Sequence, residues 1–142
     1  MPQGLIQPAN SILYAGYPKY LELEVESGTN MYPGRLVITG TAEYQCNVAG
    51  DNAANVLGVL DVEPNELRET IYAAGDQARI ITGDCVVLLK KASGATITVG
   101  LKVQPAANGM VDEYATAGTE VGYALQAADG DDDEWILVKW SK

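Results

Sequence analysis

Pro33-Gly34-Arg35-Leu36-Val37, followed by Val56-Leu57-Gly58-Val59-Leu60 and then Ala78-Arg79-Ile80-Ile81, is a passage the chain restates further on. The second version reads Gly100-Leu101-Lys102-Val103, Val121-Gly122-Tyr123-Ala124-Leu125 and Trp135-Ile136-Leu137-Val138. In each version a glycine precedes one short apolar segment and another lies inside the next. Glycine in such places marks a bulge, a barrel corner or a close backbone approach. The doubled passage therefore predicts a small barrel built from two related halves.

The surrounding segments keep the same grammar. From Tyr20 to Glu26 the residues alternate, with Leu21, Leu23 and Val25 on one face and Glu22, Glu24 and Glu26 on the other, as in a half-buried strand. Ala42, Tyr44, Cys46 and Val48 are in phase, Val56 to Val62 reads as a strand, and Cys85-Val86-Val87-Leu88-Leu89 suits a strand buried on both faces. Turn sequences at 27–30, 49–52, 74–77, 82–84, 93–94, 108–109 and 117–118 punctuate these runs, the rhythm of a barrel or sandwich, and Asn108-Gly109 is a hairpin signal. One short helix is expected over 63–71, where Pro64 suits the first turn and Leu67 and Ile71 would share a face.

Residues 1–20 differ in kind. Pro2, Pro8 and Pro18 deny them a continuous helix or a central strand position. Yet Leu5, Ile6, Ile12, Leu13, Tyr14 and Tyr17 are too apolar for a free tail. The segment is expected to lie on a surface, of its own subunit or of a neighbour, with these six as its contacts. The expected organisation is an N-terminal arm over 1–20 and a barrel-like domain over 21–142.

With 142 residues, 47% of them hydrophobic, the chain has enough material for one core. No apolar run reaches the roughly 18 residues of a membrane helix. The first residues lack the pattern of a signal peptide, so synthesis and assembly in a cytoplasm are expected. Nine basic residues against nineteen acidic give a net charge of -10, which repels nucleic acid. Histidine is absent, removing the commonest general base and a common metal ligand. Cys46 and Cys85 have no metal-site spacing and read as small buried side chains, with a strand-to-strand disulfide as the alternative.

Other chemistry fares no better. Glu63, Glu66, Glu69, Asp112 and Glu113 are the available carboxylates, yet neighbouring acids are commonplace in so acidic a chain. The run Asp129-Gly130-Asp131-Asp132-Asp133-Glu134 departs from a calcium loop, with Glu134 where glycine is needed and Trp140 where glutamate is needed. It reads as a solvated hairpin loop, with a weak cation site as the alternative. No glycine run forms a phosphate cradle, and no catalytic residue, metal or cofactor is expected. Tyr14, Tyr17 and Tyr20 cluster in or beside the arm, where tyrosine favours a protein interface over sugar or base stacking.

Met31-Tyr32-Pro33-Gly34-Arg35-Leu36-Val37, Gly75-Asp76-Gln77-Ala78-Arg79, Gly83-Asp84, Val99-Gly100-Leu101-Lys102-Val103, Asn108-Gly109-Met110-Val111 and Val121-Gly122-Tyr123-Ala124-Leu125 together resemble the capsid decoration, or cement, proteins of tailed phages. The resemblance runs from about Met31 to the C-terminus. It implies an all-β fold, a compact β-barrel or β-tulip of short antiparallel strands with an extended N-terminal arm. It also implies a non-enzymatic role on the outside of the virion, where a homotrimer at three-fold positions stabilises the head. The implied partners are the major capsid protein and further copies of the chain, with neither nucleic acid nor membrane. The competing reading is a carbohydrate-binding β module of a phage fibre or surface protein, using tyrosines with Trp135 or Trp140 as a platform.

Overall fold

The computed structural model describes residues 11–63, 66–115, 118–130 and 135–141. Among them run β1 (Leu13–Val25), β2 (Leu36–Thr39), β3 (Gln45–Val48), β4 (Gly58–Leu60), β5 (Gln77–Lys90), β6 (Lys102–Pro105), β7 (Val111–Glu113), β8 (Gly122–Ala124) and β9 (Trp135–Trp140). The fold is all-β, as expected. Pairings of β1 with β3, β3 with β2, β2 with β4, β4 with β5 and β5 with β1 close a ring. A second series runs β5-β9-β8-β6-β7, and a bridge between Lys91 and Val111 brings it back to the end of β5.

The repeat in the sequence is thus a duplication in space, legible down to single hydrogen bonds. Gly34 N–H donates to Leu60 O at 2.8 Å, and Gly100 N–H donates to Ala124 O at 2.8 Å. Leu36 faces Val59 as Lys102 faces Tyr123. Leu23 pairs with Ala78 as Leu89 pairs with Ile136. Val25 meets Cys46 in parallel as Lys91 meets Val111. β5 serves both halves: its first part closes one ring and its second part opens the other.

Two apolar clusters fill these halves. One holds Val37, Cys46, Leu60, Ala78 and Ile80; Val103, Val111, Ala124, Ile136 and Val138 fill the matching places in the other. The exchange of Leu60 and Ala78 for Ala124 and Ile136 moves bulk from one strand to its neighbour, which keeps the core filled. The second cluster also holds Ile12, Leu36, Val59, Ile81 and Trp140, joining the halves. Cys46 and Cys85 are both free and buried, and they lie in different clusters.

Several local expectations are corrected. Over 63–71, where a helix was predicted, Pro64 and Asn65 lie outside the described residues. The remainder forms turns, with Glu66 N–H on Glu63 O and Thr70 N–H on Leu67 O, both at 3.0 Å. Leu67 and Ile71 are exposed: with no apolar surface to cover, so short a segment gains too little to nucleate a helix. The single described helical element is a 3₁₀ turn, Ala107–Gly109, inside the β6–β7 hairpin that Asn108-Gly109 predicted.

Residues 82–84 are not a turn. Gly83 (φ +88°) stays within β5, facing Pro18, so a residue without a side chain meets one without an N–H. Tyr44 (φ +62°) lies in the turn before β3 and leaves that strand shorter than its alternation suggested. The strands are not all short or antiparallel either: β1 has 13 residues, β5 has 14, and β1 runs parallel to β3.

The arm and body expected to part at residue 20 are continuous there, because β1 passes through that position. Pro18 is compatible with this, since from Leu13 to Leu23 the described pairing of β1 is with β5 alone and an edge tolerates proline.

Candidate contact surface

The six expected arm contacts have different fates. Leu5 and Ile6 lie outside the described residues. Ile12 is fully buried in the joining cluster and serves this subunit's own core. Leu13 packs partly against that cluster, and Tyr14 is half-buried. Tyr17 is 88% exposed. From Ala15 to Glu22 every residue except Pro18 is exposed, and side chains on both faces of the strand are included. Tyr20 and Leu21 lie in this stretch, with Arg79 of β5 placing its guanidinium 4.8 Å from the Tyr20 ring centre. Tyrosine in this region therefore has an arginine beside it, which sequence spacing did not disclose.

A second feature gathers residues that the sequence scatters. Tyr32, Arg35, Arg68, Glu69, Lys90 and Trp135 line an open pocket of about 340 Å³. The guanidinium of Arg68 lies 5.1 Å and the ammonium of Lys90 5.4 Å from the centre of the Trp135 ring, while Arg35 lies 5.0 Å from that of Tyr32. Gly34 makes the floor possible, because a Cβ there would collide with Trp135. Arg35 donates from Nη1 to Asn108 O at 3.0 Å, yet the Nε atoms of Arg35 and Arg68 are buried without a hydrogen-bond partner. Loss of water holds both guanidiniums below the ordinary arginine value, partly offset by Tyr32 for Arg35 and by Glu69 for Arg68; both stay charged.

Other polar groups are absorbed by structure. Asp61 is buried and accepts from Arg79 Nε at 2.9 Å and from Val62 N–H at 2.8 Å. Buried Lys91 donates to the carbonyls of Ala95 (2.8 Å), Gly130 (3.2 Å) and Ala92 (3.3 Å). Lys139 pairs with Asp84. Of the loop read as an alternative cation site, 131–134 lies outside the described residues. Trp140 is fully buried and offers no platform to a sugar, while the Trp135 ring is occupied by cations.

Among the described residues the chain is a duplicated barrel with a long strand, β1, paired over most of its length on one side only. The phage cement protein family model matches residues 19–140. The chain belongs to that family. This phage cement protein is also similar to the N base of the head fiber gp8.5 of bacteriophage phi29. That crystal structure superposes with a TM-score of 0.61 at 14% identity, covering 88% of this chain and 95% of that one. At such identity the likeness is one of fold. A search among curated proteins returns no match. Membership assigns the protein to structural components of the phage particle, and no helix among the described residues is long and apolar enough to cross a membrane.

Proposed function

We propose that this cement protein decorates the outside of a phage capsid as a homotrimer at three-fold positions, holding the shell through contacts made by residues 1–10 and the exposed part of β1. The observation that carries the reading is the placement of Tyr17. An aromatic side chain 88% exposed on an edge strand, directly downstream of an apolar segment containing Leu5 and Ile6, is poorly placed for solution and well suited to an interface. Many copies, each contributing a small apolar gain, would reinforce a shell by multivalent attachment. The acidic body then faces away from packaged DNA.

The test is co-sedimentation of purified protein with expanded, DNA-free heads, and the deletion must respect the fold. Removal of 1–17 would also strip Ile12 from the core and break β1 pairing, whereas removal of 1–10 leaves Ile12 and all of β1 in place. The 1–10 deletion and Tyr17→Asp should each keep the thermal transition and lose at least tenfold in head binding. Undiminished binding by both would reject this contact surface. Light scattering of the free chain and of chain released from heads tests the trimer.

A further inference from the structure

The pocket floored by Trp135 brings together Arg35, Arg68 and Lys90 in an otherwise acidic protein. Arg79, Lys102 and Lys139 each have a carboxylate partner at 4.0 Å or less, and Lys91 is held by carbonyls. Arg35 and Arg68 instead lie against the Tyr32 and Trp135 rings. The arrangement also carries a cost that nothing described offsets, since two arginine Nε donors are shut away from water without an acceptor. Such groups are normally satisfied, and both arginines line a space large enough for a side chain.

From this geometry we propose that the pocket formed by Tyr32, Arg35, Arg68 and Trp135 is a binding site for an aspartate or glutamate side chain presented by an extended acidic segment of a partner protein. Planar guanidinium forks match a flat carboxylate with paired hydrogen bonds. A phosphate fits less well: it is favoured by clustered backbone N–H groups and well-exposed cations, whereas here the donors are half-buried and set against aromatic walls. Glu69, at the rim, already shows that a carboxylate tolerates the neighbourhood.

The test follows the indole N–H signals of the full-length chain labelled with ¹⁵N at tryptophan, Trp135→Phe identifying the Trp135 signal. Added blocked Glu-Glu peptide should shift the Trp135 signal saturably and leave that of Trp140 in place. Arg68→Gln and Arg35→Gln should each weaken the effect about tenfold or more, the loss expected when a charge-assisted bond is removed. The matching Gln-Gln peptide should have no effect. An unmoved Trp135 signal, an equal response to the glutamine peptide, or a stronger response to inorganic phosphate overturns the assignment.

A second arm identifies the source of the acidic segment, and it alone rests on the capsid reading. Weakened self-association of Arg68→Gln marks a second copy of this chain, while weakened head binding with unchanged self-association marks the shell. Peptide binding with neither effect would overturn a docking role for the pocket.

Discussion

Gly58 and Gly122 hold matched positions in the two halves, and at each a Cβ would press into a backbone carbonyl, that of Ile81 and that of Lys139 respectively. The obstruction is main chain and cannot rotate aside. Gly58→Ala and Gly122→Ala should each destabilise the protein by about 2–3 kcal/mol in urea melts, the range for overpacking; a change under about 0.5 kcal/mol would show that the strands part easily there. Cys46 makes a pH prediction. Burial lifts its thiol from 9.0 to about 11, so the folded chain holds that proton more tightly than the unfolded chain. The stability this lends is fully present below pH 9 and is lost as the pH rises toward 11. Cys46→Val, which installs the residue that β7 carries at the matching place, Val111, should flatten the fall of urea midpoint across that window. Tyr72, also raised, chiefly by burial, should keep part of the slope. Identical slopes for the two proteins would count against a constrained thiol.

At the scale of elements, β1 and the loops around Lys91 show how context overrode local pattern. Leu21, Leu23 and Val25 alternate correctly, yet their burial rises along the strand from exposed to buried, because only the end of β1 enters the first ring. The matching end of the next long strand places Lys91 where β1 has Val25. There the ammonium ties together the 92–95 turn and the carbonyl of Gly130. Lys91→Met keeps the stem but leaves those carbonyls without their donor, which should cost about 1–3 kcal/mol. Amide exchange should quicken in that turn first. Unchanged stability and exchange would mean that water replaces the ammonium without penalty.

For the whole molecule, the shared strand β5 governs cooperativity. Neither ring closes without it, and the larger apolar cluster spans residues of both halves. Val37→Ala in one half and Val103→Ala in the other, at matching buried positions, should each lower stability by about 2 kcal/mol while preserving one unfolding transition seen identically by fluorescence and circular dichroism. Separate transitions would mean that the halves are independent modules. Under the proposed contact through β1, load on the shell would pass through its pairing with β5 into both cores.

The doubled passage, the alternation in β1 and the turn residues determined by themselves that this chain is a duplicated all-β body. Those features are local: side chains alternate with a period of two, and glycine or asparagine marks each place where the backbone must turn or crowd. The absence of histidine likewise narrowed the chemistry without any coordinates. Only the tertiary structure decided that β5 belongs to both halves, that Ile12 is core rather than contact, and that 66–71 turns instead of coiling. Each depends on which distant surface is available to cover an apolar side chain. The pocket was illegible for the same reason. Arg35, Arg68 and Trp135 carry no shared spacing, and the folding of a duplicated sheet alone brings their charges and ring faces together.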